Sequence, residues 1–277
     1  MAMIVRAPAS SANLGPGFDT LGMALTLYLD VGFWSDREGH PLAVEGHPAV
    51  QAFRHGGGTG SLWVRSPIPM GRGLGFSGAA RVAGLVAAFV QRCGAGVEFA
   101  AIASEVLTVA TELEGHADNV AASLHGGVVA TAAGRAVRVP LALEPAVVMW
   151  VPSFTTSTDQ SRTTLGGAIA FDDAVFNVGR TALLVAALAA GDVAALRDAT
   201  QDRMHQDVRF TRTSASRHAL DAALDAGAWC GWLSGSGPAV ACLCAPADAE
   251  RVAGALPDGA SVKLLRVDEA GARVLAG

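Results

Sequence analysis

Between residues 69 and 80 the chain reads Pro69-Met-Gly-Arg-Gly-Leu-Gly-Phe-Ser-Gly-Ala-Ala80, and no other stretch limits its possible folds so tightly. Gly71, Gly73, Gly75 and Gly78 supply the backbone freedom for tight turns and are poor interior residues for helix or strand. On one side, 61–66 reads as a strand. On the other, Ala79, Val82, Ala83, Val86, Phe89 and Val90 recur at helical spacing. A strand, a glycine turn and a helix in this order bring backbone N–H groups and a helix N-terminus to one point, which suits a phosphate. Pro69, Gly71, Arg72, Gly73, Leu74, Gly75, Phe76, Ser77 and Gly78 are the candidate nucleotide-binding residues.

The kind of phosphate site is narrowed by an absence, since Lys263 is the single lysine in the chain. A Walker loop, which needs a lysine directly after its last glycine, is excluded. A dinucleotide fingerprint fits poorly, because no acidic ribose ligand follows about twenty residues on in a second strand. Net charge is -5 with no basic run, which argues against a nucleic-acid surface and against a polybasic membrane patch. Hydrophobic residues make up 51% and charged residues 16%, a globular composition, and 277 residues suit two units sharing a cleft.

Cys93 and Cys230 are isolated, and Cys242 and Cys244 lie on one face of an apolar strand, so the cysteines read as core residues and not as a disulfide set or a zinc site. The N-terminal apolar segment is too short for a signal peptide, and the Ala/Leu/Val run at 182–190 is too short to cross a bilayer. The expected setting is cytoplasmic.

Strands are expected at 3–7 and 24–33, bracketing a loop at 8–22 that contains Asn13-Leu-Gly-Pro-Gly-Phe-Asp19. After the glycine turn and its helix, 97–112 reads as a helix stopped by Gly115. Asp118 or Asn119 then caps a short helix ending at Gly126-Gly127. Strands at 128–132 and 136–139 follow, and a boundary near 142 divides the chain into units at 1–142 and 143–277. The second unit reads as a strand at 146–151, helices at 168–190, 193–204 and 213–226, paired strands within 229–245 turning at Ser234-Gly-Ser-Gly-Pro238, a helix at 248–255 and a strand at 261–267. That succession gives an α+β class, an antiparallel sheet covered by helices.

Three segments, Ala7-Pro-Ala-Ser-Ser-Ala-Asn-Leu-Gly-Pro-Gly-Phe-Asp-Thr-Leu-Gly22, the glycine turn, and Leu233-Ser-Gly-Ser-Gly-Pro-Ala-Val240, together resemble the GHMP small-molecule kinases in order and spacing. Two more, Glu112-Leu-Glu-Gly-His-Ala-Asp-Asn-Val120 and Asp202-Arg-Met-His-Gln-Asp-Val-Arg209, resemble the branch of that family that phosphorylates homoserine. The resemblance implies an N-terminal domain with a left-handed β-α-β unit and a C-terminal ferredoxin-like domain. ATP and L-homoserine would meet in the cleft in a step of threonine biosynthesis, and the chain would assemble as a homodimer.

By the same resemblance, Ser77 and Glu112 would hold Mg2+, a hard cation that prefers a hydroxyl and a carboxylate. Asp19 and Asn119 would hold the accepting hydroxyl, Asp19 either withdrawing its proton or orienting it. Arg162 and Arg209 would clamp the substrate carboxylate, with Thr158, His116 and Asn13 completing the pocket. Taken singly, each has a plainer reading as a cap, a loop residue or a surface side chain; their co-occurrence within matched motifs carries the assignment. The other histidines lack metal-ligand spacing and receive no role.

The chain departs from the family pattern at Phe76, where the loop more usually carries serine, so nucleotide binding is expected to be kept but weakened, with Phe76 packed against the loop. Leu165-Gly166 and Asp207 also replace more usual residues near the arginines. Two other functions stay open at this point: a kinase of the same fold acting on another small alcohol, and a non-catalytic relative that binds nucleotide.

Overall fold

The computed structural model describes residues 3–34, 39–94, 96–156, 163 and 165–276, so Thr158 and Arg162 lie outside the described residues. Strands β1 (Met3–Ala12) and β2 (Leu21–Phe33) pair antiparallel, with a register shift between Pro8 and Ala9. Proline has no N–H to give to a ladder, and the irregularity falls beside it. β2 also pairs with β3 (Leu62–Arg65) and with β4 (Val128–Ala132), and β4 pairs with β5 (Arg135–Val139).

β1 runs further than the expected 3–7 and leaves a loop of only 13–20 before β2. The reason is burial with satisfaction. Ser10 and Ser11 are fully buried, yet Ser10 Oγ donates to Asn119 Oδ1 at 2.8 Å, and Ser11 Oγ accepts from Trp232 Nε1 at 2.9 Å. A polar stretch can therefore serve as a core strand.

Among the described residues, four helices follow in this half: α1 (Pro48–His55), α2 (Phe76–Cys93), α3 (Phe99–Glu114) and α4 (Asp118–His125). α1 was not expected from the sequence. It starts where His47 Nδ1 accepts from Ala49 N at 3.1 Å, with proline at its first position. Every residue of α2 from Gly78 to Val90 except Arg81 is buried, because α1, α3, α4 and β1 all contact it. This central helix leads directly out of the glycine turn, so its N-terminus is held by the core and not by local propensity alone.

The second sheet has the order β7 (Cys230–Leu233), β8 (Val240–Cys244), β6 (Ala146–Pro152), β9 (Ala260–Arg266), all antiparallel. β6 is buried on both faces. Val147, Met149 and Val151 join the large core that also holds the first sheet, together with α5 (Phe171–Ala190) and α6 (Val193–Ala199). Ala146, Val148 and Trp150 face a smaller core, which also draws on Phe210 of α7 (Gln206–Phe210), on α8 (Ser214–Asp225) and on α9 (Ala249–Ala255). This alternation is the period of two expected of a strand between two layers.

The boundary expected at 142/143 lies between β5 and β6, while β10 (Arg273–Ala276) returns to pair with β1 in the first sheet. The run at 182–190 is the second half of α5, a helix of 20 residues that is long and apolar enough to cross a membrane by length and composition. In this fold α5 places Leu184, Ala187 and Leu188 in the core, and its Thr181 Oγ1 donates to Pro16 O at 3.1 Å. Cys230, Cys242 and Cys244 are buried and unbridged, and burial pushes the Cys230 thiol up to about 12, as suits inert core residues, whereas Cys93, the last residue of α2, is exposed and not a core residue as expected.

Candidate active site

The glycine turn enters α2 through three left-handed residues, Gly71, Gly73 and Gly75, at φ of 65°, 80° and 65°. At two of them the space is closed as well. A Cβ on Gly73 would lie 2.1 Å from Ser234 O, and one on Gly75 would lie 1.9 Å from Ser10 Oγ. The turn is tied to β1 by Ser10 N donating to Leu74 O at 3.1 Å, and to the 234–238 turn by Ser234 Oγ donating to Gly73 O at 2.6 Å. The first N–H groups of α2 then have no intrahelical acceptor, and the first such bond is from Ala79 N to Gly75 O. Gly75→Ala is expected to displace the loop and raise the KM for ATP at least tenfold. Steady-state kinetics at saturating acceptor, with a melting curve to confirm folding, checks this.

Pro69, Gly71, Gly73, Leu74, Gly75, Phe76 and Ser77 line one cleft with Asn13, Asp19, His116, Asn119 and Arg209. Arg72 and Gly78 do not line it. Arg72 Nη2 donates to Ser153 O at 2.6 Å, which braces the loop from behind. Gly78 lets α4 approach α2, since a Cβ there would lie 3.2 Å from that of Asn119. Phe76 stands at the first position of α2 and meets the His47 ring edge-on, with centroids 5.5 Å apart, so its packing partner is α1's cap and not only the loop.

The expectation for Glu112 as a metal-holding residue is corrected by the phase of α3. Glu112 is exposed and does not line the cleft, whereas Glu114 does. Ser77 Oγ donates to Glu114 Oε1 at 2.5 Å, and Arg81 pairs with the other carboxylate oxygen. Two positions on a helix are separated by about 200°, so both carboxylates cannot face the same cleft. The buried face of α3 carries Ile102, Val106, Leu107 and Ala110, and extending it by four leads to 114 and not to 112. That signal was available in the sequence.

At the start of α4, His116 Nδ1–H donates to Asp118 Oδ1 at 2.7 Å, and the same oxygen accepts from Asn119 N at 2.7 Å. Asn119 Oδ1 accepts from Ser10 Oγ, which turns its NH2 away from Ser10 as a donor. Asp118, expected as a helix cap, therefore also braces the site.

The β1–β2 loop is held by a network of its own. Asn13, Leu14 and Asp19 have φ of 70°, 48° and 56°, three non-glycine residues in the left-handed region. Such strain persists where surrounding bonds over-determine the backbone. Asn13 Oδ1 accepts from Asp19 N at 3.1 Å, and Asn13 Nδ2 donates to Gly235 O at 3.0 Å. Asn13 thus lines the cleft while both ends of its amide fix Asp19 and the 234–238 turn. Arg209, on α7, is 5% exposed; its Nη1 donates to the same Gly235 O at 3.0 Å, and its guanidinium lies 5.3 Å from the centre of the Phe18 ring. Gly235 and Ser236 complete the wall, residues that the sequence had marked as a turn and not as site residues.

Known proteins resemble the chain along most of its length. The family models described as "GHMP kinases N terminal domain" and "GHMP kinases C terminal" match residues 43–127 and 184–261. The chain is 38% identical to a homoserine kinase of Desulfitobacterium hafniense over 98% of this chain and 99% of the other. It is also 38% identical to one of Thermus thermophilus, over 85% of each. Among solved structures, a homoserine kinase from Cytophaga hutchinsonii superposes with a TM-score of 0.85 at 27% identity, covering 99% of this chain and 97% of that one. With an α+β fold, two matching family regions and relatives aligned along nearly its whole length, the chain belongs to the GHMP kinase family, in its homoserine kinase branch.

Proposed function

We propose that this chain transfers the γ-phosphoryl group of ATP to the side-chain hydroxyl of L-homoserine, giving O-phospho-L-homoserine. The observation that carries the reading is a single cleft lined by a glycine-rich helix N-terminus, a carboxylate at Asp19 and a buried arginine at Arg209. Phosphoryl transfer relies on positioning and charge neutralisation more than on covalent chemistry. The N–H groups of the glycine turn and of the first turn of α2 hold the phosphates. Asp19 accepts the hydrogen bond of the substrate hydroxyl and takes its proton as the new O–P bond forms and ADP leaves, while Asn119 donates to the hydroxyl oxygen and aims its lone pair at the phosphorus. Arg209 pairs with the substrate carboxylate, which distinguishes an amino acid from a neutral alcohol. Arg162 and Thr158 would complete that clamp.

Magnesium fits the residues present. Ser77 Oγ and Glu114 Oε1 are two hard oxygen donors 2.5 Å apart, and Arg81 holds the carboxylate in place. Bound there, the ion would neutralise charge on the transferring phosphates. Glu114→Gln is expected to lower kcat by about 10²–10³ and to raise the magnesium concentration needed for half-maximal rate, by analogy with losing one electrostatic stabiliser. Glu112→Gln should stay within about twofold of the unaltered chain. A magnesium titration of both variants reads the difference, and an effect at 112 without one at 114 would restore the original expectation. A homodimer in the cytoplasm is part of the same proposal.

The direct test is an ATP-consumption assay across L-homoserine, D-homoserine, L-serine, L-threonine, mevalonate and galactose, with the product mass confirmed. Preference for L-homoserine supports the reading. Turnover of neutral alcohols alone would favour another kinase of this fold, and calorimetry showing no ATP binding would favour a non-catalytic relative.

A further inference from the structure

His205 has no place in the chemistry above, yet it links the loop that carries Asp19 to Arg209. It is 1% exposed. Its Nε2 lies 2.8 Å from Gly15 O, on the loop that carries Asn13 and Asp19, and its Nδ1 lies 3.1 Å from Arg209 Nη1. A guanidinium only donates, so Nδ1 accepts, and the ring proton sits on Nε2 and is donated to Gly15. Both contacts can exist together in one protonation state, the neutral Nε2–H tautomer. Burial pushes the imidazole below its ordinary value, Asp202 opposes this, and the Arg209 charge adds to it, while Asp19 acts upward more weakly.

Gly15 is not free to follow the ring elsewhere, and the backbone that presents the ring is itself held. Gly15 has φ of +91°, and a Cβ there would lie 2.3 Å from Thr200 O, so the loop is pressed against the second half of the molecule. Pro16 O accepts from Thr181 Oγ1, and Asp202 accepts from the N–H groups of Met204, His205 and Gln206, which sets the backbone that presents the ring.

We propose that His205 is a positioning residue that fixes the separation between the hydroxyl-holding Asp19 loop and the carboxylate-binding Arg209. This rests on the homoserine kinase reading. Each ring nitrogen serves one end of the substrate, so the two functions are separable by substitution. In His205→Asn the side-chain oxygen stands near Nδ1, which keeps the acceptor for Arg209 and loses the donor to Gly15. In His205→Gln the side-chain NH2 stands near Nε2, which keeps the donor to Gly15 and loses the acceptor for Arg209.

His205→Asn is expected to lower kcat at least tenfold with the KM for L-homoserine within about threefold. His205→Gln is expected to raise that KM at least tenfold with kcat within about threefold. ATP binding by calorimetry should be unchanged in both, since the glycine cradle is not touched. Equal losses in both parameters for both variants, or no loss in either, would overturn the proposal. Failure of the unaltered chain to phosphorylate L-homoserine would instead overturn the reading beneath it. Should either variant fail to fold, ¹⁵N spectra of the histidine-labelled full chain decide: a neutral ring protonated at Nε2 at pH 7 supports the proposal, and a ring protonated at Nδ1 contradicts it.

Discussion

Replacing Asp19 by asparagine is expected to lower kcat for L-homoserine by about 10²–10⁴, the range that a positioned acid–base group contributes, with little change in the KM for ATP. The side chain keeps its size and its place on the loop, because Asn13 Oδ1 bonds the backbone N–H of residue 19 and not its carboxylate. Asparagine also tolerates the left-handed backbone found there, at φ of 56°. A change in turnover therefore reports the lost negative charge and not a collapsed loop. Single-turnover kinetics, with melting curves alongside, is the appropriate measurement. A variant retaining full turnover would remove Asp19 from the chemistry and leave the hydroxyl to Asn119 alone.

Arg209→Ala should cost about as much, and through a different parameter. A charge-assisted hydrogen bond contributes about 1.5–3 kcal/mol, which is about 10–150-fold in kcat/KM. Arg209 also donates to Gly235 O, the carbonyl that Asn13 shares, so truncation loosens the wall between the two half-sites and adds to the loss. The expected result is a fall of about 10²–10³ in kcat/KM for L-homoserine. The preference for L-homoserine over 3-amino-1-propanol, which has the hydroxyl and ammonium but no carboxylate, should shrink with it. Arg209→Lys keeps the charge but not the planar fork, and it should recover only part of the loss. An unchanged preference in Arg209→Ala would assign the carboxylate to other residues.

Much of the site was legible along the chain because it is built from local chemistry. The glycine turn, its entry into α2 and the short helix after Gly115 follow from turn glycines and helical periodicity, and they hold with shifts of a few residues at the ends. Expectation and structure part where a residue's role depends on what faces it. Glu112 and Glu114 differ only in helical phase relative to Ser77. Ser10 and Ser11 looked like loop residues because their partners, Asn119 and Trp232, are 109 and 221 positions away. Arg72 carried a charge beside a phosphate loop, yet it is spent on Ser153 O.

The sequence by itself determined the family, the α+β class and the glycine turn that leads into α2, since motifs and turn chemistry are properties of contiguous residues. The tertiary structure decided which carboxylate meets Ser77, that Asn13 is a brace for Asp19, and that His205 bridges Gly15 to Arg209 across 190 positions. Hydrogen-bond partners buried between two halves of a chain are chosen by packing, which no local pattern encodes.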